Sequence, residues 1–380
     1  MRNLSLSKES KRRYKGNNLG LHCHCSEIKE KFIELLERAK QEDVRYLVVN
    51  NYKSLKTYTE VLPTLSEEEL KRYEGIKLIP SIEMPGSFNF TNLEGQNYNI
   101  EVHILGYGVD LSKEEMLKKF CDVKYKSLNQ EEELKRLIEI GHKIGLNFKD
   151  EDAYLDSNDD NRKFAGRAFT QALMKNMDDN FCKEGESNKN KLPYELRTNW
   201  RAFQNRCVKD PNNPFYLDVA MLNPRVEEVI DLIHSMGGKA YLAHPSSYFA
   251  KVGTKEEVKL AYDNTIKFVK DFLAKFSLKV NKKTTMDGAE IYHPSYLGNI
   301  DVISEIKELV QAHRIASSGG TDIHVDKTLG KDETVSSDSL DGTVVKNKLR
   351  KFRLLRRKAV SIKDLKDKVI DIKSKGEERE

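Results

Sequence analysis

Short apolar runs alternate along this chain with longer amphipathic stretches, and most of the runs stop on a histidine or an acid. That alternation constrains the fold more than any other feature. Tyr46–Val49 reads as a buried strand running into Asn50-Asn51-Tyr52, and Ile76–Ile82 as a second ending at Glu83. Ile100–Tyr107 is a third, carrying His103. Lys239–Ala243 ends at His244-Pro245, and Gly288–His293 has its polar groups at the end. Ile315–Ser318 leads into Gly319-Gly320-Thr321-Asp322-Ile323-His324. Between the runs, Ile28, Phe32, Leu35, Leu36 and Ala39 recur at helical spacing. Residues 54–74 also read as helical, as do 255–276 and 299–313. Pro224 opens a helix over Val226–Met236 that Gly237-Gly238 closes. Strand, helix, strand, with polar residues at strand ends, is the grammar of an α/β barrel.

The grammar changes between Leu111 and Asn223. That segment is charged and largely helical, with polar stretches at 156–163 and 183–191 and the only tryptophan, Trp200. It reads as a helical insert, residues 111–223, within a discontinuous barrel formed by 18–110 and 224–330. A basic leader, 1–17, precedes the barrel, and a basic C-terminal tail, 331–380, follows it. The chain has 380 residues, 38% hydrophobic and 33% charged, enough for a large domain with an insertion. No apolar run approaches the roughly 20 residues of a membrane span, and the leader is too polar for a secretory signal. Five cysteines without framework spacing point to reduced thiols and a cytoplasmic protein.

Charge is unevenly placed. The net charge is +5, yet Met1–Lys15 alone carries +5 and Lys346–Lys358 carries +8, which leaves the body at −8. Such arms suit nucleic acid or another polyanion. A solvated tail, or a surface for an acidic protein partner, explains them equally well. Leu349, Phe352, Leu355 and Ala359 give the second arm an apolar stripe.

His22 and His24 are one residue apart in Leu21-His22-Cys23-His24-Cys25. On an extended strand they share a face, and Cys23 points away from it. A lone pair of this kind is weak as a metal signal. It gains weight from the other polar residues at or within predicted strands: Glu83, His103, His244, Asp322 and His324. In a barrel, strand ends converge on one rim. Five imidazoles and two carboxylates there would bind two transition ions, with a carboxylate able to bridge. Paired ions about 3.5–4 Å apart activate water and neutralise a phosphate. Scattered core and surface histidines remain the competing reading.

Five segments resemble the polymerase-and-histidinol-phosphatase (PHP) superfamily of metal-dependent phosphoesterases. They are Leu21–His24, Ile79–Glu83, Val102–Tyr107, Ile233–Pro245 and Gly319–His324, in matching order and spacing over about 18–330. The resemblance implies a distorted seven-stranded (β/α) PHP barrel with a helical inserted domain. It is closest to the branch that acts on nucleotides and RNA ends. By analogy His22, His24, Glu83 and Asp322 would hold one ion, and Glu83 would bridge to a second held by His103 and His244. His324 would belong to a third site. Two divalent ions, manganese, zinc or iron, would be the cofactors, and a metal-bound hydroxide would attack phosphorus. Gly166-Arg167-Ala168-Phe169 resembles a motif of the insert, making Arg167 a candidate phosphate clamp beside Glu83 and Asp322 as catalytic residues.

The departures from that pattern are specific. Gly20 stands where the family usually has Asp, Asn50-Asn51-Tyr52 where it has Thr-Asp-His, Lys29 near an expected acidic or His ligand, and Phe169 in place of the insert motif's His. All but Gly20 touch the third metal site, which is therefore expected to be weak or absent. Glu290 reads as a residue behind the ligands, and His293 as one that could reach the site. His234 reads as structural, and His142 and His313 as helix-surface residues. Asn51 and Tyr52 occupy a rim position open to substrate contact. The expected function is a hydrolase, a phosphatase or exonuclease, acting on nucleotides or nucleic-acid ends. Two alternatives stand beside it: a degenerate PHP domain that binds nucleic acid or protein, and a phosphomonoesterase of small molecules.

Overall fold

The computed structural model describes residues 19–41, 44–125, 130–156, 158–159, 162, 164–186, 188, 191–197, 203, 207–208, 213–249, 255–277, 284–292, 300–319, 323–325 and 368–372. It is a mixed α/β structure with two compact units. One takes the described residues of Met1–Lys124 and Pro224–Glu380, the other those of Tyr125–Asn223. Leu111–Lys124, read from the sequence as the start of the insert, falls in the first unit. Leu117 is buried there, the Asp110 N–H donates to the Met236 carbonyl, and Lys124 pairs with Glu228.

The strands of the first unit are β1 (Leu19–Cys25), β2 (Tyr46–Val49), β3 (Lys77–Thr91), β4 (Asn97–Tyr107), β5 (Lys239–Leu242), β6 (Gly288–Tyr292), β7 (Ala316–Gly319), β8 (Ile323–Val325) and β9 (Ile370–Asp371). Their order is β7-β6-β5-β4-β3-β2-β1-β8, with β9 on β3. β1, β2 and β3 run parallel, as do β5, β6 and β7, but β4 is antiparallel to both neighbours. The reason lies in β3, which does not stop at Glu83. It continues through Met84-Pro85-Gly86 to Thr91 and turns at once into β4. The Asn92 side-chain oxygen accepts the Glu94 and Gln96 N–H groups in that turn, and Gly95 takes φ +81°. So short a connection can join only antiparallel strands. Gly86 lies inside the strand because the chain there passes close to Val226, where a Cβ would have 3.0 Å.

The sheet is strongly curled. His22 on β1 and Glu290 on β6 stand five strands apart along the order, about 24 Å across a flat sheet, yet their side chains meet at 3.1 Å. One core inside the curl takes residues from β2, β3, β4 and β5: Val48, Ile79, Leu105, Tyr107 and Tyr241. Ala316 of β7 packs against the same cluster. At Gly288 a Cβ would strike the Tyr241 ring and the Ala316 carbonyl, so β6 can take this place only with glycine there.

Outside the sheet, Lys29–Gln41 is one helix burying Phe32, Leu35, Leu36 and Ala39, the stripe visible in the sequence. Residues 54–74 are not one helix. Short turns over Thr57–Val61 and Leu62–Thr64 give way to extended Leu65, and Ser66 then caps a new helix, Glu67–Arg72, by a capping box with Glu69. β9 corrects the reading of 331–380 as a tail throughout. Ile370 and Asp371 pair with Leu78 and Lys77, and Ile372 is buried. Lys346–Lys358 lies outside the described residues, as do Met1–Lys15 and Trp200. In the second unit, helices Gln130–Lys143 and Ala165–Met174 share a core of Leu137, Phe148, Phe169, Phe203 and Phe215.

Candidate metal centre

Alternation along β1 sends His22 and His24 to one face and Cys23 into the core on the other. Their Nε2 atoms are 3.0 Å apart. Glu83 reaches the same point from mid-β3. Its Oε2 is 3.1 Å from His24 Nε2 and 3.8 Å from His22 Nε2. Its other oxygen, Oε1, faces a second pair: 2.7 Å from His103 Nδ1 on β4 and 3.2 Å from His244 Nε2 just after β5. One carboxylate therefore divides its two oxygens between two pairs of imidazoles. His22, Glu83 and His244 are all buried, and each offers a ligand atom within 4.8 Å of the others'.

Behind the pair stands Glu290, fully buried on β6. Its two oxygens lie 3.1 and 3.2 Å from His22 Nδ1, and Oε2 accepts the His244 backbone N–H at 2.8 Å. His244 has φ +21° and ψ +57°, outside the main regions for an L-residue. The Glu290 bond is one of the contacts that hold it there. Because Glu290 takes the proton on Nδ1, His22 turns a bare Nε2 toward Glu83 and His24. The cluster then holds more lone pairs than protons. A cation resolves that imbalance, and neutral imidazoles with a carboxylate are the donors that zinc, manganese and iron accept.

The charges of the cluster are strongly coupled. Burial pushes the Glu83 carboxyl up, but the His103 imidazolium and the hydrogen bond it donates hold it well below its ordinary range. Burial pushes His103 down, but the charges of Glu83 and Glu101 and their hydrogen bonds raise it to about 10. Burial keeps His244 below its ordinary value and hence neutral.

The loop after β2 forms part of the rim. Glu83 donates its N–H to the Asn51 carbonyl and accepts the Lys53 N–H. The Asn51 side chain accepts the Cys25 N–H and donates to Thr57 Oγ1, so it joins the ends of β1 and β2. Tyr52 is 43% exposed and meets the His103 ring edge-on at 5.7 Å between centroids.

Of the residues singled out in the sequence, the fold gathers His22, His24, Glu83, His103 and His244. Asp322 and His293 lie outside the described residues. His324 pairs in register with His24 through β8, and its side chain lies outside them. Arg167 sits on Ala165–Met174 in the helical unit, its guanidinium 5.7 Å from the Phe164 ring centroid. His234 bonds to Asp287 at 2.8 Å, and His142 to Asp150. Two neighbours of the cluster escaped the sequence reading. Glu101 accepts from His103 Nε2 at 3.3 Å, and its position two residues away on the same strand face was the available signal. Tyr248 accepts the His103 N–H and donates to the Ala243 carbonyl. No sequence pattern marks it, because the contact depends on how the chain turns after His244.

Fold and cluster together define a mixed α/β protein with a buried His/Glu group of metal-binding geometry. No known protein family matches the chain, and no curated protein does either. A solved structure from Bifidobacterium adolescentis, assigned as a metal-dependent phosphoesterase, aligns over 87% of this chain and 98% of its own. The identity is 16% and the TM-score 0.43, a likeness too distant to transfer a site or an activity.

Proposed function

We propose that this chain is a divalent-metal-dependent phosphoesterase acting on nucleotides or nucleic-acid ends. The observation that supports it most is the division of Glu83 between His22 with His24 on one side and His103 with His244 on the other. In this reading His22, His24, Glu83 and Asp322 hold one ion, and Glu83, His103 and His244 a second. When bound, a pair of divalent cations readies water for attack and offsets charge on the phosphoryl oxygens. The chain's own residues do the rest. Glu83, which faces both pairs of imidazoles, would be shared by the two ions, and Glu290 and Glu101 accept hydrogen bonds from the outer nitrogens of His22 and His103. The third site is weak, because Asn51 is committed to Cys25 and Thr57 and Tyr52 replaces a ligand.

The test is hydrolysis of an aryl phosphate and of a 5′-phosphorylated oligonucleotide with Mn²⁺. His22→Ala and His244→Ala should each lower turnover at least about 100-fold, more than the loss usual for a residue behind the ligands. Undiminished turnover in both variants refutes the site. Tyr52 at a ligand position favours a second reading, a binding module. Metal-independent oligonucleotide binding without any turnover would select that one. Metal analysis should find two ions per chain, and three tightly held ions would refute a weakened third site.

A further inference from the structure

Among the buried acids, Glu290 makes no use of its position in the reading above except through other residues. It is fully buried, 268 residues from His22 in sequence, and touches a ligand from each side of the cluster. Both of its oxygens sit at about equal distance from His22 Nδ1, 3.1 and 3.2 Å. Its Oε2 also accepts the His244 N–H at 2.8 Å, at the residue whose backbone lies at positive φ. One carboxylate thus sets the ring of one ligand and the main chain of another. A histidine ligand generally owes its orientation and tautomer to a partner on the far ring nitrogen, but here the same partner serves two.

We propose that Glu290 is a positioning residue that holds His22 and His244 together in ligating geometry, so that the two halves of the metal centre gain or lose affinity as one. This rests on the two-ion reading given under Proposed function. Glu290→Gln is the informative change. It keeps the shape, but because Oε2 accepts the His244 N–H, the amide carbonyl takes that place and the NH2 group takes the place of Oε1, 3.1 Å from Nδ1. A donor there disfavours the proton on Nδ1 and favours it on Nε2, which removes the lone pair that faces Glu83.

The experiment has two readouts on the purified full-length chain. Ring ¹⁵N shifts in EDTA, with His22 assigned by loss of its signals in His22→Gln, report the tautomer. In the wild type Nδ1 carries the proton, and in Glu290→Gln it passes to Nε2. Zinc titration by calorimetry should then show both ions weakened together by about 10–100-fold. Circular dichroism in EDTA checks that the variant is folded, and Glu290→Ala, which removes the carboxylate from Nδ1 and from the His244 N–H, should weaken both ions as well. An unchanged tautomer, or weakening of one ion alone, overturns the proposal. Wild-type protein that binds no zinc refutes the metal reading instead, and the role of Glu290 then stands or falls on the tautomer.

Discussion

At the scale of single residues, the cluster is a site whose protons must leave before a cation enters. His103 sits between Glu83 and Glu101 and is raised to about 10, so without metal it stays an imidazolium through neutral pH. A folded-state value above the ordinary 6.5 gives stability that is complete below 6.5 and fades as pH climbs toward 10. Glu83, held below its ordinary 4.5, contributes above that value and loses its contribution as pH falls. The two effects come from one ion pair and bound a window of about 4.5 to 6.5 for greatest metal-free stability. Metal binding has the opposite sign, because His103 must give up its proton to serve as a ligand. Thermal unfolding in EDTA should weaken from pH 6.5 to 9, while zinc-loaded protein holds its midpoint. A flat profile in EDTA over that range refutes the His103–Glu83 pairing. That His22 and His24 share a face was legible from strand alternation alone. That Glu83 would face both pairs was not legible from spacing and was implied only by the family resemblance, since its partners come from β1, β4 and the turn after β5.

At the scale of elements, sequence pattern served where one element carries its own signal. The stripe of Lys29–Gln41 fixes a helix and its buried face without reference to anything distant. The direction of β4 was hidden, because Met84-Pro85-Gly86 looks like a strand's end and is instead a place where β3 runs close against Val226. Asp287, just before β6, shows how the far end of the sheet is fastened. Its carboxylate accepts from His234 Nε2, Lys239 Nζ and the Ala240 N–H, and its carbonyl accepts the Ala316 N–H. Burial pushes its pKa up, but these donors bring it below 3.8, so its stabilising effect is lost as pH falls. Asp287→Asn should cost about 1–3 kcal/mol, a few degrees in Tm, and reduce acid sensitivity. Gly288→Ala next to it should cost more, because a Cβ there would strike the Tyr241 ring and the Ala316 carbonyl and force β6 to shift. The Asp287 side chain bonds to His234, Lys239 and Ala240 and not to the His/Glu cluster, so Asp287→Asn should leave zinc stoichiometry unchanged, and a loss of bound zinc at full foldedness would contradict this division of roles.

At the scale of the whole molecule, what could be read was that polar residues stand at or within predicted strands of a barrel-like sheet, and what could not be read was which side chains the curl brings into contact. The hydrogen bond from His22 to Glu290 depends on the path of the four strands between β1 and β6, and no local spacing encodes that path. Charge is the one global property that sequence gives directly. The body carries −8 and Lys346–Lys358 carries +8, in a segment followed by β9, which is anchored on β3. An acidic body repels a polyanion, so a nucleic-acid substrate needs the basic segment for capture, whereas a small monoester does not. Deleting 346–358 while keeping β9 should raise KM for a phosphorylated oligonucleotide about tenfold or more at low salt and leave kcat near its original value. The steep loss of affinity with added salt should flatten in the deletion, because fewer counterions are released on binding. Aryl phosphate hydrolysis should be untouched by either change. If both substrates respond alike to the deletion, the segment supports the fold rather than the substrate; if neither responds, a small phosphomonoester becomes the better substrate class for this centre.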